Sequence, residues 1–97
     1  MADFMLLMHG DAVRDTEPAA WDAYFSALSQ SGCFDGGSSI GGGDTFRQGS
    51  NAAPVTAHLE GFIRLRAANL ADARRWIEGN PVYLAGGTVE LRELPED

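Results

Sequence analysis

The chain holds two histidines, and each is followed two residues later by a carboxylate. His58 and Glu60 fall in a run with the strand period, so their side chains project to one side of a strand. A carboxylate near an imidazole favours its charged form and can orient it as a general base. The plainer reading of this pair is a polar strand side that meets solvent or a second chain, and that reading has the better support. His9 ends an apolar run, with Gly10 and Asp11 behind it. Strand ends at a sheet rim often hold functional side chains, yet Gly-Asp is also ordinary turn chemistry and again the better-supported reading. His9, His58 and Glu60 are therefore the candidates for acid–base work. Arg64 and Arg66 share a side with His58, Glu60 and Phe62, and two guanidinium forks on one side suit a small anionic molecule.

Other chemistries fit less well. Two histidines on separate segments fall short of the three convergent protein ligands of a catalytic metal site, so no metal is expected. Gly36-Gly37 and Gly41-Gly42-Gly43 lack the following helix that a phosphate cradle requires, and the sequence indicates no cofactor. Cys33 is the only cysteine, follows a helix C-terminus and sits near Asp35. Such surroundings disfavour a thiolate, and a lone cysteine forms no intramolecular disulfide.

These residues need elements to hold them. Phe4 to His9 reads as a first strand, with Phe4, Leu6 and Met8 on one face and Met5 and Leu7 on the other. Both faces are apolar and want cover. A helix begins near Thr16-Glu17-Pro18, carries Trp21, Tyr24, Phe25 and Leu28 as its apolar stripe, and ends at Ser31-Gly32. An irregular second strand is expected between Gly36 and Arg47, followed by a polar loop from Gln48 to Pro54. The third strand, His58 to Ala67, alternates Leu59, Gly61, Ile63 and Leu65 with the polar set. Asn69 caps a second helix with the stripe Leu70, Ala73, Trp76 and Ile77, stopped by Gly79 and Pro81. Thr88 to Leu94 is the last strand, and Pro95-Glu96-Asp97 a solvated tail.

Strand, helix, strand, strand, helix, strand is the ferredoxin-like βαββαβ order, an α+β fold with an antiparallel four-stranded sheet and two helices on one face. We expect one domain over residues 1–97. The uncovered face would carry Met5 or Phe4 with Phe62, an apolar patch that a second copy related by a two-fold axis would cover. The charges around Phe62 suggest a ligand-sized cleft between the two sheets. The net charge of −7, with all seven basic residues arginine, argues against nucleic acid and against anionic membrane surfaces. No stretch reaches the ~20 apolar residues of a membrane span, and the N-terminus lacks the features of a signal peptide. A cytoplasmic setting is the expectation.

The runs His58-Leu59-Glu60-Gly61-Phe62-Ile63-Arg64-Leu65-Arg66-Ala67 and Asn69-Leu70-Ala71-Asp72-Ala73-Arg74-Arg75-Trp76-Ile77 resemble the YCII-related family. So do Asn80-Pro81-Val82-Tyr83, Gly86-Gly87-Thr88-Val89-Glu90-Leu91-Arg92 and the opening Met5-Leu6-Leu7-Met8-His9-Gly10-Asp11. The resemblance implies a dimeric α+β barrel, and for some members a lyase or dehalogenating activity that uses a histidine on the first helix and an aspartate before the proline after the second. This chain has Ala20 and Trp21 in the first neighbourhood and Asn80 in the second. The DGPF signature of a related branch reads Ala52-Ala53-Pro54-Val55. The family geometry also implies Asn80, Tyr83 and Arg47 as pocket-wall residues. Three readings follow: a homodimer that binds a small anionic organic molecule; a lyase-like or hydrolase-like enzyme with His9 or His58 as base; and a structural or regulatory dimer without ligand.

Overall fold

Strand β1 (Ala2–His9) lies inside the sheet because both of its edges find antiparallel partners, β3 (Leu59–Ala67) and β4 (Val89–Leu94). Strand β2 (Phe34–Ser39) adds to the far edge of β3, giving the order β2-β3-β1-β4. The computed structural model describes residues 1–96; Asp97, the end of the expected domain and tail, lies outside the described residues. Helices α1 (Pro18–Gln30) and α2 (Leu70–Glu78) supply Tyr24, Leu28 and Ala73 to one core with Phe4, Leu6, Met8, Ile63, Leu65 and Ala67. The expected alternation is present: Phe4, Leu6 and Met8 are buried against the helices, and Met5 and Leu7 are half-buried on the opposite side.

Four local features differ from the sequence expectation. β2 runs from Phe34 to Ser39 and stops there, so Asp44 to Arg47 is not strand. The last ladder bond in that region runs from the Ile40 N–H to the Glu60 carbonyl at 2.8 Å. β3 begins at Leu59, so residues beyond Ile40 have no neighbouring strand left to pair with. Asn80 and Pro81 do more than stop α2. They start a short helix, α3 (Pro81–Leu84), with Asn80 as cap and proline in the first turn. Leu70 opens α2 but is 57% exposed and stands outside the buried stripe. His58 precedes β3, and the β1–β3 register slips between Met8 and His9 so that His9 pairs with Leu59 while Met8 pairs with Gly61. Glu60 is the extra residue at this slip, a β-bulge that breaks the simple alternation His58–Glu60–Phe62.

Candidate functional site

Glycines occupy the sheet where α1 would otherwise pack. In register, Gly37 pairs with Ile63 and Ser39 with Gly61, so two glycines thin the side-chain layer of this corner around Ile63. Gly37 is held to glycine by its neighbours: a Cβ there would come within 2.6 Å of the Phe62 carbonyl oxygen. At Gly61 the nearest atoms would be Met8 Cε at 3.1 Å and the Ser38 carbonyl oxygen at 3.3 Å. Above this floor stand Trp21 and Phe25 of α1, stacked with centroids 5.7 Å apart, and Phe34 meets Phe25 edge-on at 5.7 Å. The Trp21 indole N–H donates to Thr16 Oγ1 at 3.0 Å, which fixes the ring. The result is a cavity of about 790 Å³ under an aromatic roof, floored by Gly37, Gly61, Ile63 and Met8 and lined also by Arg14, Asp15, His9 and Glu60. It lies between the sheet and α1. The cleft expected between two sheets is on the other side of β3, and the cavity within this chain is not that cleft.

The ionisable groups at the end of β1 are arranged differently from the sequence pairing. His9 is among the lining residues, but the groups its ring meets, Glu90 and His58, are not, and Glu90 stands opposite Leu7 on the open-face side of the sheet. His9 Nε2 lies 2.8 Å from Glu90 Oε1, and its side chain is only 18% exposed. A carboxylate can only accept, so Nε2 carries the hydrogen and Nδ1 of the neutral ring keeps its lone pair. Glu90 Oε2 also accepts from Arg92 Nη1 at 3.1 Å. These two bonds, the one from His9 first, hold the Glu90 carboxyl below its ordinary value. His58 meets the His9 ring edge-on at a centroid distance of 4.7 Å. The structure therefore brings His9 and His58 together, but neither pairs with the carboxylate two residues on. Glu60 instead lies against Gly10, where a Cβ would come within 2.5 Å of Glu60 Oε1. Asp11 turns to β4 and accepts from the Thr88 N–H at 2.7 Å and the Thr88 hydroxyl at 2.6 Å, bonds that hold its carboxyl below its ordinary value.

The remaining candidates scatter. Phe62 lines the cavity, but Arg64 and Arg66 do not. Both arginines are exposed, and Arg66 Nε sits 3.5 Å from Asp3 and 3.9 Å from Asp35, loose pairs across the open sheet face. Asn80 is 0% exposed and cannot meet a ligand in this arrangement. Its Oδ1 accepts from the Val82 N–H at 2.9 Å and its amide donates to Met8 Sδ at 3.6 Å, so its role is to cap α3 and tie it to β1. Tyr83 is exposed and outside the cavity lining. Arg14 and Glu90 were missed by sequence reasoning. Arg14 stands in the β1–α1 loop, its Nη2 donating to the Leu84 carbonyl at 2.7 Å. Glu90 alternates with Val89 and Leu91 like any solvent-side residue, and only the strand order places it beside His9. Among the described residues, no group of three or more His, Cys, Asp or Glu side chains converges as metal ligands do, and no helix is long and apolar enough to cross a membrane.

No protein-family model matches the chain, and neither does any curated protein. Among solved structures, the chain is similar to the 5-chloro-2-hydroxyhydroquinone dehydrochlorinase TftG of Burkholderia phenoliruptrix AC1100, solved in complex with 2,5-dihydroxybenzoquinone. The likeness covers 98% of this chain and 95% of that one at 14% identity, with a TM-score of 0.60. At that identity it is a likeness of fold. The chain itself has the ferredoxin-like α+β architecture, with sheet order β2-β3-β1-β4.

Proposed function

We propose that the chain accepts a small, flat, hydroxylated ring molecule in the cavity beneath α1, and that His9 acts on it as general base in a lyase-type elimination. The observation that carries this reading is the cavity itself: stacked aromatics over a floor thinned by Gly37 and Gly61, with His9 among the lining residues. In this reading a flat ring lies between Trp21 and Phe25 on one side and Gly37 and Gly61 on the other, where the aromatic faces offer it stacking contacts. Glu90 fixes the His9 tautomer with Nδ1 free to take a proton. In a substrate whose hydroxyl is conjugated through a double bond to a carbon bearing a leaving group, the O–H bond breaks and the proton goes to His9. The O–H electron pair forms a C=O, the double bond shifts, and the leaving group departs as an anion. Arg14 stands where a developing negative charge needs a partner.

Support also comes from the structural likeness to a dehydrochlorinase crystallised with a dihydroxyquinone, and from the resemblance to YCII-related proteins. The departures from that family's pattern, Trp21 on the first helix and Asn80 before Pro81, are the reason for assigning the base to His9. The open face with Met5, Leu7 and Phe62 is the surface for a second copy of the chain. The test is titration with 2,5-dihydroxybenzoquinone followed by Trp21 fluorescence, alongside turnover of chlorinated hydroxyhydroquinones by wild type and His9→Gln. Quenching that saturates, with turnover lowered about 10²- to 10⁴-fold in the variant, is expected for loss of a general base. Saturable binding with no turnover in either protein leaves a binding module; no binding at all discards the site. Light scattering at micromolar concentration should give a dimer mass, and a monomer would discard the second copy.

A further inference from the structure

Residues 40–58 join β2 to β3 with no helix or strand of their own, although antiparallel neighbours need only a few residues to connect. Near the middle, Phe46 is 89% exposed, an unusual position for a side chain with so much apolar surface. The segment springs from the cavity wall, since Ser38 and Ser39 line the cavity and the Ile40 N–H makes the last bond to β3. Gly41, Gly42 and Gly43 come next. None has a positive φ, and a Cβ on any of them would meet nothing within 4 Å. Neither backbone conformation nor lack of space calls for glycine there, so what the three contribute is backbone freedom. Past this root the segment is tied to itself. The Thr45 N–H donates to Asp44 Oδ1 at 2.8 Å and the Thr45 hydroxyl donates to the Ala53 carbonyl. The radius of gyration, 14.9 Å, exceeds the roughly 12.5 Å expected for a chain of this length, as an arm that stands away from the body requires.

From these features we infer that Phe46 closes over the cavity when a flat ring occupies it, as a specificity-determining aromatic contact beside Trp21, Phe25 and Phe34. The inference rests on the ring-binding reading of that cavity. Reach is not limiting: the seven residues from Ser39 to Phe46 span up to about 25 Å when extended, and the cavity begins at Ser39. Closure moves an exposed phenyl ring out of water and removes water from the neighbourhood of His9, where it would compete for the proton.

The experiment uses the full chain and 2,5-dihydroxybenzoquinone as probe. Phe46→Ala is expected to keep the wild-type circular dichroism spectrum and to bind about two- to tenfold more weakly, the range for an aromatic contact, through faster dissociation. Phe46→Trp should show an emission blue shift on saturation that wild type, with only Trp21 and Trp76, does not. Equal affinity and dissociation rate in wild type and Phe46→Ala, with no shift in Phe46→Trp, overturns the closure while the cavity reading stands. No probe binding to wild type removes the cavity reading and the closure with it. Weakened binding that wild-type subunits restore in mixed dimers overturns closure within one chain.

Discussion

Replacing Asn80 should unfold the corner that joins β1, α1 and α3, and the structure allows the size of the effect to be worked out. The side chain is fully buried, accepts from the Val82 N–H at 2.9 Å and donates toward Met8 Sδ at 3.6 Å. It also stands by Tyr24, whose phenol is pushed up by burial, with the Asn80 amide opposing part of that shift. The Tyr24 hydroxyl itself donates to the Trp76 carbonyl at 2.7 Å, linking α1 to α2. Asn80→Ala loses the cap, about 1 kcal/mol, and empties a buried volume, roughly 1–3 kcal/mol more. A total of about 2–4 kcal/mol lowers the midpoint of thermal unfolding by roughly 8–30 °C for a domain this size. Asn80→Asp separates the contributions. It keeps the acceptor for Val82 but places a carboxylate where no water reaches, which raises its folded pKa above the unfolded value. The folded state then holds a proton that the unfolded chain has released. The variant is therefore most stable below the unfolded carboxylate pKa, and it loses stability as pH rises toward the raised folded value. Urea unfolding followed by circular dichroism at acidic and neutral pH is the assay. A loss under about 0.5 kcal/mol in Asn80→Ala, together with a pH-independent Asn80→Asp, would refute the buried-cap account.

Other expectations concern the cavity floor and the carboxylates Asp11 and Glu90 near the end of β1. Gly37→Ala presses a methyl against a backbone oxygen and should cost about 1–3 kcal/mol. Gly61→Ala needs only a small shift of Met8 Cε and the Ser38 carbonyl, and should stay within about 1 kcal/mol of wild type by denaturant titration while weakening ring binding. Asp11 and Glu90 both have lowered carboxyl values, so each contributes stability above its unfolded pKa that disappears as pH falls through its folded pKa. Asp11→Asn and Glu90→Gln should each flatten the acid side of the stability profile, measured as midpoint temperature against pH below the usual carboxylate range. Unchanged profiles would mean that the bonds to Thr88 and His9 do not persist in solution.

The strands were legible where one face is apolar throughout. Ile63 and Leu65 oriented β3, whereas β1 is apolar on both faces, so alternation grouped Phe4, Leu6 and Met8 without saying whether they or Met5 and Leu7 meet the helices. The bulge at Glu60 was not legible, because a register slip belongs to a pair of strands and neither strand alone encodes it. It separated His58 from Glu60, so the pair that the strand period suggested is not formed. Glu90 reaches His9 only because β4 lies beside β1, a consequence of sheet order. Asn80-Pro81 does carry a readable helix-start signal, a capping side chain followed by proline, beside the stop that Gly79 and Pro81 give α2. The limits of β2 were obscured by glycines whose alternation has no apolar side to read.

The cavity is the feature for which the fold by itself offers no reason. A natural domain of this size is stable by only about 5–15 kcal/mol, so burying Trp21 and Phe25 fully against the sheet would be a large gain. A methyl at Gly61 would begin to fill the space and needs only a few tenths of an ångström from Met8 Cε and the Ser38 carbonyl. The chain instead leaves both rings half-buried over an unfilled floor, and anchors Trp21 through Thr16 so that it does not collapse inward. Places where a sequence departs from good packing without local compensation are where function is expected. Here the departure has a shape, a slot for a flat ring, and a chemistry, one imidazole whose proton is already placed by Glu90. A packing defect would require only the first; the two together at one end of one strand are what a site requires.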